Sequence, residues 1–66
     1  MSTGSPELGE VFLEFHPIGG SMKVSAIHAA TGIEVSAVAP ANAAKADLQR
    51  LILKKLEARL VREGKL

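Results

Sequence analysis

The strongest constraint on this fold is that only the C-terminal third can be a long helix. From Ala43 to about Glu63 the chain contains neither glycine nor proline, and alanine, leucine, lysine, arginine and glutamate dominate. Leu48, Ile52, Leu56 and Leu60 recur every four residues, Ala46 and Leu53 widen that stripe, and Asp47, Arg50, Lys54 and Glu57 lie opposite. This is the signature of one amphipathic helix. Pro40 suits a first helical turn, Asn42 is an alternative N-cap, and Gly64 is placed to terminate the helix.

Upstream the pattern is extended. Glu10–His16 is rich in β-branched and aromatic residues and stops at Pro17-Ile-Gly-Gly20; Met22–Ala29 and Ile33–Val38 form two further runs. The segment Ala29-Ala-Thr-Gly32 suits a type I turn with Gly32 as a G1 bulge, which sets Ala29 opposite Ile33, His28 opposite Glu34 and Val24 opposite Val38. A four-residue Pro17–Gly20 loop sets Glu14 opposite Lys23 and Phe15 opposite Met22. The expected fold is α+β: a three-stranded antiparallel meander with one C-terminal amphipathic helix packed on it, in the order β-β-β-α.

With 66 residues and no cysteine, there is room for one small domain, residues 10–64, without disulfides or a thiolate zinc site. Residues 1–9, small and polar with two glycines and a proline, read as a flexible N-terminal tail. They lack the basic and apolar regions of a secretory signal, and no apolar run approaches the length of a membrane span. The expected location is therefore the cytoplasm, with no membrane partner.

These registers give two apolar faces. One carries Val11, Leu13, Phe15, Met22, Val24, Ala26 and Val38; the other carries Phe12, Ile27, Ile33, Val35 and Ala37, diluted by Glu14, Lys23 and Ser25. One helix covers only one face, and four or five apolar side chains left in water forgo a free energy comparable with the stability of a whole domain. A second copy covering the other face is the expected solution, with Leu51 and Ala58 adding to the contact. The alternative is a monomer in which the N-terminal tail or Leu66 covers part of the patch.

The net charge of +1 conceals a cancellation. Residues 1–40 sum to −3 and residues 41–66 to +4, so a basic helix accompanies an acidic sheet. Arg50, Lys54, Lys55, Arg59 and Arg62 are thus a candidate surface for an anion or a partner, including nucleic acid. Against this, both phenylalanines are in the first strand, leaving no aromatic on the helix for base stacking or for a membrane interface. Positive charge toward a helix C-terminus is also what the macrodipole favours on a merely solvated face.

Little in the chain suggests catalysis. His16 and His28 fall at opposite ends of the expected sheet, and His28 with Glu34 reads as a cross-strand pair with no nucleophile beside it. Two histidines with Glu14 or Glu34 lack the spacing of a metal site. Ile18-Gly-Gly-Ser-Met22 joins two strands, whereas phosphate-binding loops lead into a helix. Ser21, Ser25, Thr31 and Ser36 have no base assigned to them. No enzyme activity, cofactor or metal is expected.

Gly9-Glu-Val-Phe-Leu-Glu-Phe-His-Pro-Ile-Gly19, Lys23-Val-Ser-Ala-Ile-His-Ala-Ala-Thr-Gly-Ile-Glu-Val-Ser36 and Pro40-Ala-Asn-Ala-Ala44 together resemble a family of short, uncharacterised bacterial proteins. The likeness spans about residues 9–62. It implies a β-β-β-α domain of unknown function and carries no catalytic residues over. The functional expectation is a small non-enzymatic interaction module or accessory subunit, homodimeric, engaging itself or another protein. The rival is a nucleic-acid-binding accessory protein using the basic helix.

Overall fold

The apolar alternation of the first forty residues becomes an antiparallel sheet in the computed structural model, which describes residues 2–5 and 8–66, with side chains from Leu8 onward. The strands β1 (Ser2–Ser5), β2 (Gly9–Ile18), β3 (Ser21–His28) and β4 (Glu34–Pro40) lie in sequential order, and α1 (Lys45–Arg62) follows. The three expected strands are β2–β4, and α1 packs across β3 and β4, as the β-β-β-α reading requires. The short β1 is additional. Ser2–Ser5, read from sequence as part of a tail, pair with Gly9–Phe12, while Met1, Pro6 and Glu7 lie outside the described residues. Four small residues carry no apolar alternation to announce a strand; only the backbone pairing defines it.

The first hairpin is tighter than expected. Ile18 faces Ser21 across a two-residue Gly19–Gly20 turn. Gly19 has φ 57°, the left-handed first position of a type II′ turn, which glycine adopts without steric cost. The strand runs through Pro17 for a local reason. The Ala29 N–H to Glu10 carbonyl bond fixes the alternation of the ladder, so Pro17, opposite Met22, directs its backbone away from β3. A missing N–H costs nothing there. Each pairing is displaced by two residues from the expected one: Glu14 faces Ser25, and Lys23 faces His16. A two-residue shift preserves the faces.

The second hairpin differs by one residue, with larger consequences. Gly32 has the expected positive φ, 74°, but the loop is longer. The His28 N–H bonds to the Ile33 carbonyl (2.8 Å) and the Gly32 N–H to the His28 carbonyl (2.7 Å). Ile27 therefore faces Glu34, Ala26 faces Val35, Val24 faces Ala37 and Lys23 faces Val38. The expected register would have placed Glu34 and Ser36 on the helix-covered face. The observed one puts Val35, Ala37 and Ala39 there and leaves the carboxylate in water, avoiding an unpaired buried charge. Both loops end on a left-handed residue, so Gly32 does not choose between them.

The helix begins later than its composition suggests. Pro40 closes β4 instead of opening α1: the Ala41 N–H extends the ladder to the Gly20 carbonyl, and the Pro40 carbonyl accepts the Ala43 N–H (3.0 Å) in the turn that follows. Ala44, not Asn42, occupies the N-cap, with extended φ and ψ and no side-chain cap bond. The other end is as read. Lys65 N–H bonds to the Leu60 carbonyl (2.8 Å) and Gly64 N–H to the Val61 carbonyl (3.0 Å), a Schellman motif with Gly64 at C′. Leu48, Ile52, Leu56 and Leu60 are buried with Val11, Leu13, Val24, Ala26 and Val35 in a single core. Leu8, from the expected tail, completes it.

Candidate interaction surface

Because α1 lies on one side of the sheet, the other side is built from the alternate residues of each strand. These are Phe12, Glu14, His16 and Ile18 from β2, Ser21, Lys23, Ser25 and Ile27 from β3, and Glu34, Ser36 and Val38 from β4. The pairings arrange them in rows: Phe12–Ile27–Glu34, then Glu14–Ser25–Ser36, then His16–Lys23–Val38. Phe12 is 43% exposed, Ile18 56% and Val38 65%. At the centre Ser25 is only 2% exposed, a small side chain sunk beside Glu14, whose own side chain is half exposed.

This surface corrects the expected one. Val35 and Ala37 belong to the core, and Ile33 packs against it from the loop, while Val38 moves outward and Ile18 joins the edge. The face is therefore more mixed than expected: apolar side chains stand among Glu10 and Glu34 at one end, Glu14 in the middle, and His16 and Lys23 at the other end. The one-residue register change accounts for the difference, and Ile18 was missed because Pro17 read as a strand stop. Leu51 (51% exposed) and Ala58 are on the helix, on the opposite side of the molecule from this face.

The basic helix residues do not converge. At about 100° per residue, Arg50 and Lys54 point to solvent while Lys55 and Arg59 fall on a flank. Arg50 pairs with Asp47 (2.5 Å) and Arg59 Nε with Glu63 (2.7 Å), both exposed contacts of small net energy. Lys55 Nζ donates to the Ser36 carbonyl (2.6 Å). Lys45, another of the helix cations, sits 5.4 Å from the centroid of the Phe15 ring. The side chains of Lys54 and Arg62 donate no hydrogen bond among the described residues, and Arg62 adds to the positive field at Glu63. Two shallow grooves on α1 are lined by Ala46, Gln49, Arg50 and Leu53, and by Asp47, Arg50, Leu51 and Lys54; both are open to solvent.

The histidines are separated as expected, but His28 does not pair with Glu34. The two residues are on opposite faces. His28 is 5% exposed, with Nε2 2.7 Å from the Leu8 carbonyl and Nδ1 2.8 Å from Thr31 Oγ1. A carbonyl only accepts, so Nε2 carries the proton and donates it; in the neutral ring Nδ1 then accepts from the Thr31 hydroxyl. Thr31 Oγ1 in turn accepts the Ile33 N–H (3.2 Å). This fully bonded histidine ties the start of β2 to the β3–β4 loop. His16, on the open face, stands 3.9 Å from Glu14. Among the described residues no group of three His, Cys, Asp or Glu could hold a metal ion, and no helix is long and apolar enough to cross a membrane.

Fold and surface together define a β-β-β-α module with one face of its sheet uncovered. Residues 8–63 match the family described as "Domain of unknown function (DUF6898)", and the chain belongs to that family. No curated protein and no solved structure matches it.

Proposed function

We propose that this chain is a small non-enzymatic interaction module whose contact surface is the open face of the sheet. The observation that carries this reading is the exposure of Phe12, Ile18 and Val38 on a face that no described element covers. Solvated sheet faces in monomers carry polar residues at such positions, and large apolar side chains left exposed among charged ones mark a surface that meets another molecule. His28 has both ring nitrogens bonded within the fold, which favours a structural role for it over a catalytic one.

The nucleic-acid reading is weaker, because Arg50, Lys55 and Arg59 are engaged within the chain and the helix carries no aromatic. One pair of measurements separates the two. Oxidative footprinting of the protein in concentrated native extract, against buffer, is expected to protect Phe12, Ile18 and Val38 and to spare Leu51 and Val61. Titration with mixed-sequence RNA and DNA at low salt is expected to show no binding. Protection confined to α1, with affinity that falls steeply as salt rises, would overturn the proposal in favour of phosphate contacts.

A further inference from the structure

On the reading that the open face is the contact surface, we infer that its occupant is an arginine-bearing segment of another protein, with the guanidinium seated over Phe12. The acidic end of the face carries this. Phe12 has Glu10 and Glu14 two residues to either side on β2, each about 7 Å away along the strand. Glu34 shares its row beyond Ile27, about 10 Å away at two strand spacings. A half-exposed aromatic ring thus stands among three exposed carboxylates.

The described chain supplies no lysine or arginine to pair with them. Among the described residues Glu10 and Glu34 form no ion pair, and Glu14 has only His16, 3.9 Å away. Lys23 pairs with none of the three. It lies two rows down and one strand across from Phe12, about 14 Å away, beyond the screening length of about 8 Å at physiological salt. Lys55, at the β4 margin, gives its ammonium to the Ser36 carbonyl. On β1, Ser2 and Gly4 pair with Phe12 and Glu10 and bring no charge. Like charges gathered on one sheet face are unfavourable, and a cation arriving from outside relieves them.

Arginine suits these groups by shape as well as charge. Its guanidinium stacks on an aromatic face, offers five donors to carboxylates and is more weakly hydrated than an ammonium. Its methylene stem finds apolar surface in Ile27, directly beside Phe12. The chain already makes a contact of this kind on its other face, between Lys45 and Phe15. Val38, about 17 Å from Phe12 along the diagonal of the face, gives an apolar seat to a residue further along the same segment. Phosphate-bearing partners are repelled from this end.

Titration of the nitrogen-15-labelled whole chain with a capped hexapeptide of alternating arginine and valine tests this, the amide shifts being followed by NMR. Shifts are expected at Phe12, Ile27 and Glu34, with affinity falling as salt rises. Citrulline in place of arginine should weaken binding by about tenfold or more. Glu10→Gln, Glu34→Gln and Phe12→Leu should each weaken it about two- to fivefold, whereas Glu57→Gln, on α1, should leave it unchanged. Circular dichroism of each variant checks that the fold persists. The proposal is overturned if the arginine peptide does not bind at millimolar concentration, if the citrulline peptide binds as well, or if Glu57→Gln matters as much as Glu34→Gln. It also falls if sedimentation shows the chain pairing with itself through this face at tens of micromolar. In any of these cases, protection of Phe12 and Val38 in extract would still uphold the interaction module. Protection confined to α1 overturns both.

Discussion

At the scale of single residues, His28 shows how a polar side chain is accommodated in a small core. Both ring nitrogens are bonded, one to a carbonyl twenty residues away in sequence. His28→Leu keeps bulk but loses both bonds, and is expected to lower stability by about 2–3 kcal/mol. Thr31→Val removes the second of these and the exposed Ile33 N–H bond, and should cost about 1–1.5 kcal/mol. Urea unfolding midpoints check the order of the two. The sequence placed His28 at a strand end but could not have found its partner, because a backbone carbonyl leaves no trace in residue identity. Glu63 offers a pH test. The hydrogen bond from Arg59, then that residue's charge, hold its pKa below the ordinary 4.5. A depressed folded pKa means the carboxylate stabilises the fold above the unfolded value, and that contribution is lost as pH falls through the folded one. Glu63→Gln should therefore be less stable than wild type at neutral pH, with the difference vanishing in acid below the folded pKa.

Element by element, the segments were legible and their joins were not. The four-residue recurrence of Leu48, Ile52, Leu56 and Leu60 identified the buried stripe of α1, and all four are 0–3% exposed. Gly64 ended the helix where its conformational freedom suggested. Apart from β1, which read as a tail, and the N-cap, which falls at Ala44 instead of Asn42, the misreadings sit at proline or glycine. Pro17 looked like a stop and is part of a strand, Pro40 looked like a helix start and ends a strand, and Gly32 suited two loops that differ by one residue. In each case the local preference was satisfied in either arrangement, and the choice was made by ladder alternation or by keeping Glu34 out of the core. The uncapped start of α1 yields an element-scale prediction. Ala44 already has an extended N-cap backbone but no side-chain oxygen to meet the first amides. Ala44→Ser should stabilise the protein by about 1 kcal/mol, seen as a higher thermal midpoint with unchanged helix content.

For the whole molecule, the composition showed that one helix cannot cover two faces of a sheet, and this was the sound part of the surface reading. Its residue list was half wrong because one register slip exchanged Val35 and Ala37 for Val38. The same argument bears on stability. A chain of 66 residues has a small core, so each fully buried side chain carries a large share of its stability. Leu56→Ala is expected to cost about 2–5 kcal/mol, read as a lowered thermal midpoint by circular dichroism.

Pro40 and Lys55 at the β4 margin have a consequence for how the sheet can grow. The Ser36 carbonyl is taken by Lys55, Pro40 has no N–H, and its carbonyl is held by Ala43, so this edge is a poor template for an incoming strand. Truncating Lys55 would free the Ser36 carbonyl and leave the margin more open to strand addition.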